Sequence, residues 1–150
     1  MRRTLEVLLV LGCLTACSSD PPRPVAIDTA HDACAFCRMA ISGTRTAAQL
    51  IAAHEEPLLF DDLGCLSDYL TGRPSAAAGR VAYVADHHTG AWVRAEDALY
   101  TRVPGLATPM NSQLVAHADA TSRAADPVIG DLPLLGAAEI FSPHAFGGGE

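Results

Sequence analysis

Apolar and polar positions change period several times along this chain. Residues 5–14, "LEVLLVLGCL", form an apolar run broken only by Glu6 and preceded by Arg2 and Arg3. Residues 18–30, "SSDPPRPVAIDTA", carry no period at all. Residues 38–52 hold two short extended stretches about Ser42-Gly43, the pattern of a hairpin, and "EPLLF" (56–60) reads as a further strand. In "DDLGCLSDYL" (61–70) the period lengthens: Leu63, Leu66, Tyr69 and Leu70 share one face at helical spacing. Asp61 or Asp62 can cap that helix, and Gly72-Arg73-Pro74 ends it. "RVAYVAD" (80–86), the turn "HHTG" and "AWVRA" (91–95) read as a second hairpin. "EDALYTRV" (96–103) fits a helical turn or another strand. Within 108–126 the pattern predicts a helix from about Ser112, stopped by Pro127. "AAEIF" (137–141) reads as an edge strand in a Pro/Gly-rich remainder. The order predicts an α+β fold in two small related halves.

Composition narrows the class. The chain has 150 residues, 49% of them hydrophobic, which argues against general disorder. Net charge is −7, all ten basic residues are arginine, and no basic stripe exists, which argues against nucleic acid as a partner. The basic start and the short apolar run form an export signal, too short to remain as a membrane span. Its end, Leu14-Thr15-Ala16-Cys17, resembles the lipobox of bacterial lipoproteins. That resemblance implies cleavage after residue 16 and lipidation of Cys17, with several acyl chains giving durable anchoring. Cys13 in "VLGC" fits less well, because Leu11 is bulky where the pattern prefers a small residue. The plainer alternative is a secretory signal in which Cys17 is incidental. Ser18, a non-aspartate, implies the outer membrane facing the periplasm if the cell is Gram-negative. The expected organisation is signal 1–16, lipidated tether 17–30, folded domain 31–126 and C-terminal extension 127–150. The tether is expected to stay extended and off the core.

Three cysteines remain after Cys13 and Cys17: Cys34, Cys37 and Cys65. An odd number cannot all pair within one molecule, so a disulfide scaffold explains them poorly. Two lie in "CAFCRM" (34–39), with Met39 two places after Cys37. Three chemistries compete. A redox dithiol normally opens a helix after a strand, and here the tether precedes Cys34. A zinc site needs more partners; Cys65 and a histidine could complete one, though at no familiar spacing. Thiolate plus thioether is a soft set that favours Cu(I). In an extended segment Cys37 and Met39 would face one ion with Arg38 turned away. Cys34 joins only if the chain turns between 34 and 37.

In this order, "CAFCRMAIS", "AAQLI", "LLFDDLGCLSDYL", "AYVADHHTGAWVRAEDALY" and "TPM" resemble the NosL family of copper-binding lipoproteins accessory to nitrous oxide reductase. The resemblance runs from about His31 to Ala116. It implies two ββαβ halves and a Cu(I) chaperone, not an enzyme, that passes the ion to an apo copper enzyme outside the cytoplasm. Nitrous oxide reductase is the first candidate for that recipient, and another secreted copper oxidase is the second. It implies Cys37 and Met39 as ligands, Met110 of "TPM" as a further ligand and Cys34 as an additional motif cysteine. Two positions depart from the pattern: many members have glycine where this chain has Arg38 and Asn111. The competing function is a lipid-anchored thiol–disulfide oxidoreductase using Cys34 and Cys37.

The remaining residues carry blander readings. Cys65, between Leu63 and Leu66, reads as a buried structural cysteine. Asp61 and Asp62 read as helix caps rather than as groups orienting a ligand. His87 and His88 fall in a turn and read as solvated. His31 could reach an ion near Cys34, and His117 is expected on a helix near the face of Met110. His54, His144 and Trp92 carry no sharper signal.

Overall fold

The computed structural model describes residues 21–141. The export signal, Cys13, the lipid-acceptor expectation at Cys17 and His144 lie outside the described residues. The first elements are β1 (Ala48–Ile51), β2 (Leu58–Phe60), α1 (Leu63–Thr71), β3 (Val81–Ala85) and β4 (Trp92–Arg94). They make a four-stranded antiparallel sheet in the order β2-β1-β3-β4. Strand β1 is buried along its whole length because it lies between two strands and under a helix. Ala48 and Leu50 face α1 together with Ala82 and Val84 of β3. Gln49 and its register partner Tyr83 point to the other face.

That second face is covered by the segment expected to be a free tether. The Gln49 side chain accepts from Val25 N–H at 2.9 Å and donates to Val25 C=O at 2.8 Å. The Tyr83 hydroxyl donates to the Pro22 carbonyl at 2.8 Å. A buried amide must find partners, and the backbone of residues 22–25 supplies them, so this part of the proline-rich stretch packs against the sheet.

Helix α1 forms as its period predicts. Asp62 caps it by accepting from Gly64 N–H at 2.6 Å, and Leu63, Cys65, Leu66 and Leu70 are buried.

The second half contains β5 (Leu99–Arg102), β6 (Leu114–His117), α2 (Ala120–Ala125) and α3 (Ala137–Ile140). Strands β5 and β6 pair antiparallel, and Tyr100 makes a further antiparallel bridge to Leu135. This repeats the first half: an inner strand pairs with the next strand on one side and with the chain returning after a helix on the other. The returning strand is reduced to one bridge. The two ββαβ halves therefore exist, unequal in size. A parallel bridge between Asp86 and Ala116 joins them, and one core runs through both, from Leu50 and Leu66 to Tyr100, Ile140 and Phe141.

Three expectations change and one ambiguity resolves. The Ser42-Gly43 pattern makes no hairpin; the bridge before β1 joins Ala33 to Ala40. The "EDALYTRV" ambiguity resolves as strand β5. The helix expected from Ser112 is strand β6 followed by the short α2, because residues 114–117 are buried on both faces beside β5. "AAEIF" is a helical turn, its start stabilised by Gly136 N–H donating to the Glu139 carboxylate at 2.7 Å. The segment after Pro127 also belongs to the fold, with Ile129, Ile140 and Phe141 buried.

Candidate metal centre

The CxxCxM segment is a tight loop, not an extended strand. Cys34 N–H donates to the Met39 carbonyl at 2.8 Å, and Arg38 N–H donates to the Cys34 carbonyl at 3.0 Å. Ala35 N–H donates to the Leu59 carbonyl at 2.7 Å, fastening the loop to β2. Arg38 has a φ of +67°, the left-handed region that favours glycine. The simple alternation expected for Cys37, Arg38 and Met39 is therefore broken by the backbone itself. The glycine that the family resemblance implies here has a physical reason, and Arg38 holds the same conformation at a cost. Asn111, the other departure, has a φ of +56°, which asparagine tolerates better.

The turn between residues 34 and 37 is the condition for Cys34 to join. Cys34, Cys37 and Cys65 gather with their sulfur atoms all within 4.8 Å of one another, and all three are free thiols. Cys34 and Cys65 are buried, and Cys37 is half-buried at the opening. Cys65 is thus part of the cluster and not a bystander in the core. The helix period that put it beside Leu63 and Leu66 also turns it towards the loop. An odd number of cysteines left after Cys13 and Cys17 was the available signal.

The three thiols are not equivalent. Burial acts to raise the pKa of Cys34, but the backbone amides of Asp61, Cys37 and Phe36 and the Cys37 thiol outweigh it and hold it below the ordinary thiol value. Burial, and then the neighbouring Cys34 and Cys37, push the Cys65 thiol up. Cys34 therefore gives up its proton more readily than Cys65, and a bound cation would draw protons from the thiols that ligate it.

Asp61 and Asp62 have structural work on either side. Asp61 accepts from Ser42 N–H at 3.0 Å, holding the chain after the motif loop. Asp62 is fully buried and uses both oxygens: one caps α1, and the other accepts from Met110 N–H at 2.9 Å. That second bond brings the TPM loop to the start of the helix that carries Cys65. Gly64 permits the approach, since a Cβ there would lie 2.8 Å from Ser112 Cβ. Met39 and Met110 are both exposed, at 48% and 42%, and Met110 lines an open cleft of about 270 Å³ with Gly64, Ser67 and Arg102. The arrangement is a cluster of three thiols, with one exposed methionine on the same loop and another on a loop bonded to the start of α1.

The histidines fall elsewhere. His31 bonds Asp28 at the surface. His117 lies on β6 and not on a helix, and its ring turns to Asp126.

The NosL family model matches residues 24–126. The chain belongs to the NosL family. The match starts just before Val25, the residue bonded to Gln49, and ends at Asp126, after α2. Among solved structures, the crystal structure of the copper chaperone NosL from Shewanella denitrificans is similar, with a TM-score of 0.63 at 19% sequence identity. That match covers 82% of this chain and 98% of the other, and at this identity it speaks for the fold. No curated protein matches the sequence.

Proposed function

We propose that the protein is a Cu(I) carrier, not an enzyme, which holds the ion at the sulfur cluster and passes it to an apo copper enzyme. The observation that carries this reading is the convergence of three free thiols, two of them on the loop that also carries the exposed Met39. Thiolates and thioethers select soft Cu(I). A closed zinc site would need a fourth good donor, and both oxygens of Asp62 are already taken by backbone amides. Cys34, Cys37 and Cys65 would hold the ion, with Met39 and Met110 as weaker outer donors. Weak outer donors suit transfer, since an incoming ligand from the recipient can displace them while the thiolates still retain the ion. Family membership supports the same reading, as does the fold shared with a protein described as a copper chaperone. The recipient we favour is nitrous oxide reductase. The site of action is the outside of the cytoplasmic membrane or the periplasmic face of the outer membrane, with Cys17 as the lipid-bearing residue.

Titration of the reduced full chain with Cu(I) against a competing chelator tests the carrier. Wild type should bind tightly, and Cys37→Ala combined with Met39→Ala should bind more weakly. Equal affinity overturns the reading. Cys65→Ala should also weaken binding. Acid should release the ion, because protons compete for the thiolates. Incorporation of a labelled fatty acid in wild type and not in Cys17→Ser tests the anchor. The oxidoreductase alternative makes a different demand: Met39→Leu leaves a dithiol enzyme active and weakens a copper carrier.

A further inference from the structure

A second group of metal-ligand side chains lies in the other half of the molecule. His87 follows β3, His117 ends β6 and Asp126 closes α2. His87 Nδ1 and His117 Nε2 both point at a single carboxylate oxygen, Asp126 Oδ2, at 2.6 and 2.9 Å. His117 is fully buried and Asp126 nearly so, while the His87 side chain is 17% exposed. We propose that His87, His117 and Asp126 form a binding site for a divalent cation of the zinc class.

The donors suit such an ion. Two imidazoles and one carboxylate form a borderline-hard set that matches Zn2+ and leaves Cu(I) to the sulfur cluster. Three protein ligands leave one tetrahedral position open, and the exposed side of His87 gives water and the ion a way in. The supporting contacts are already present. The other oxygen of Asp126 accepts from Val128 N–H at 3.1 Å, fixing the carboxylate with Oδ2 towards the rings. His87 is pinned through its backbone, with its N–H donating to Ala116 C=O at 2.8 Å and its C=O accepting from Arg45 Nη1 at 2.8 Å. Such outer contacts are what orient metal ligands.

Among the described residues His117 Nδ1 is buried with no hydrogen-bond partner, so the ring's polar contact is made through Nε2, at the proposed site. Zn2+ bonded at about 2.0–2.1 Å would set its donors about 3.3 Å apart. The observed spacings of 2.6 and 2.9 Å then open by roughly half an ångström, within reach of a carboxylate rotation. Neutral imidazoles accommodate this by moving the proton from the liganding nitrogen to the other ring nitrogen. The bound ion would clamp the end of α2 to β6 and to the turn after β3. The site stands on its own geometry and does not depend on the copper reading.

The test uses the purified full chain in detergent with all three cluster cysteines changed to serine, so that sulfur does not compete. Zn2+ should bind with one-to-one stoichiometry and raise the melting temperature. His87→Ala, at the exposed edge, should weaken binding by about tenfold or more, and Asp126→Asn should do the same. Co2+ in the same protein should give ligand-field bands, which His87→Ala removes. Unchanged Zn2+ affinity in folded His87→Ala overturns the proposal, even if Asp126→Asn fails to fold. So does Zn2+ binding confined to the protein that keeps its cysteines.

Discussion

The two halves share a topology and differ in what they do with it. The first completes its sheet, carries a nine-residue helix and holds the three thiols between that helix and the motif loop. The second reduces its returning strand to one bridge at Leu135, has a six-residue helix and sends the TPM loop across to the first. The complete half thus holds a cluster of three thiols, two of them buried. The reduced half supplies a methionine on a loop, held by one buried aspartate. Repetition of a fold does not repeat its chemistry: the three thiols all lie in the first half, and the second reaches that half through the Met110 loop.

The strongest way to break this relation is Asp62→Ala. It removes the cap of α1 and the bond to Met110 together, taking the carboxylate partner from two part-buried backbone amides. Unfolding free energy should fall by about 3 kcal/mol, measured by denaturant titration. Cu(I) affinity should fall with it, whereas Zn2+ binding at His87 should survive in the folded fraction.

Asp86 joins the halves from the other side. It is fully buried and accepts from Thr89 N–H and, across the junction, from Ala118 N–H, each at 2.8 Å. Burial acts to raise its pKa, but the nearby Ser122 side chain and these amides outweigh that and lower it from 3.8 to about 2. The folded form therefore binds fewer protons than the unfolded one between those values. This stability is present above about pH 4 and is lost as pH falls through about 2. Asp86→Asn should cost about 2 kcal/mol at neutral pH and flatten the acid limb of the stability curve.

Gly64→Ala sharpens the comparison at the contact itself. Alanine gains about 1 kcal/mol of helix propensity, yet its Cβ meets Ser112 Cβ at 2.8 Å, and overpacking costs about 1–3 kcal/mol. The net expectation is a loss of about 1 kcal/mol with displacement of the TPM loop, visible as weaker Cu(I) binding.

The smallest effect has the opposite sign. Arg38→Gly relieves the left-handed backbone and should stabilise the protein by about 1 kcal/mol, read as a rise in melting temperature. Asn111→Gly should gain less, only a few tenths of a kcal/mol, because asparagine already tolerates that region.

Local rules read α1 correctly because cap, period and stop agree: Asp62 begins it, Leu63, Leu66 and Leu70 face inward, and Gly72 ends it. They failed at β6 because Ser112, scattered alanines and Pro127 imitate a helix with its cap and stop. Packing against β5 with both faces buried overrides that propensity. Ser42-Gly43 has the chemistry of a hairpin turn, yet the pairing partner of Ala40 is Ala33 on the other side of the CxxCxM loop. Cys65 was visible as an odd thiol, and His87 as a polar turn residue. Nothing local to either residue showed the neighbours it would meet.

By itself, then, the sequence determined the kinds of donor this protein owns, the first helix, the α+β order and the family that "CAFCRM", "FDDLGC" and "TPM" resemble. Only the tertiary structure decided which donors meet. It drew Cys65 to Cys34 and Cys37, brought Met110 to α1 through Asp62, and set two histidines around Asp126. Residue type and short-range period are written in the chain. Convergence of distant side chains depends on how helices and strands pack, and that depends on contacts between segments far apart in it.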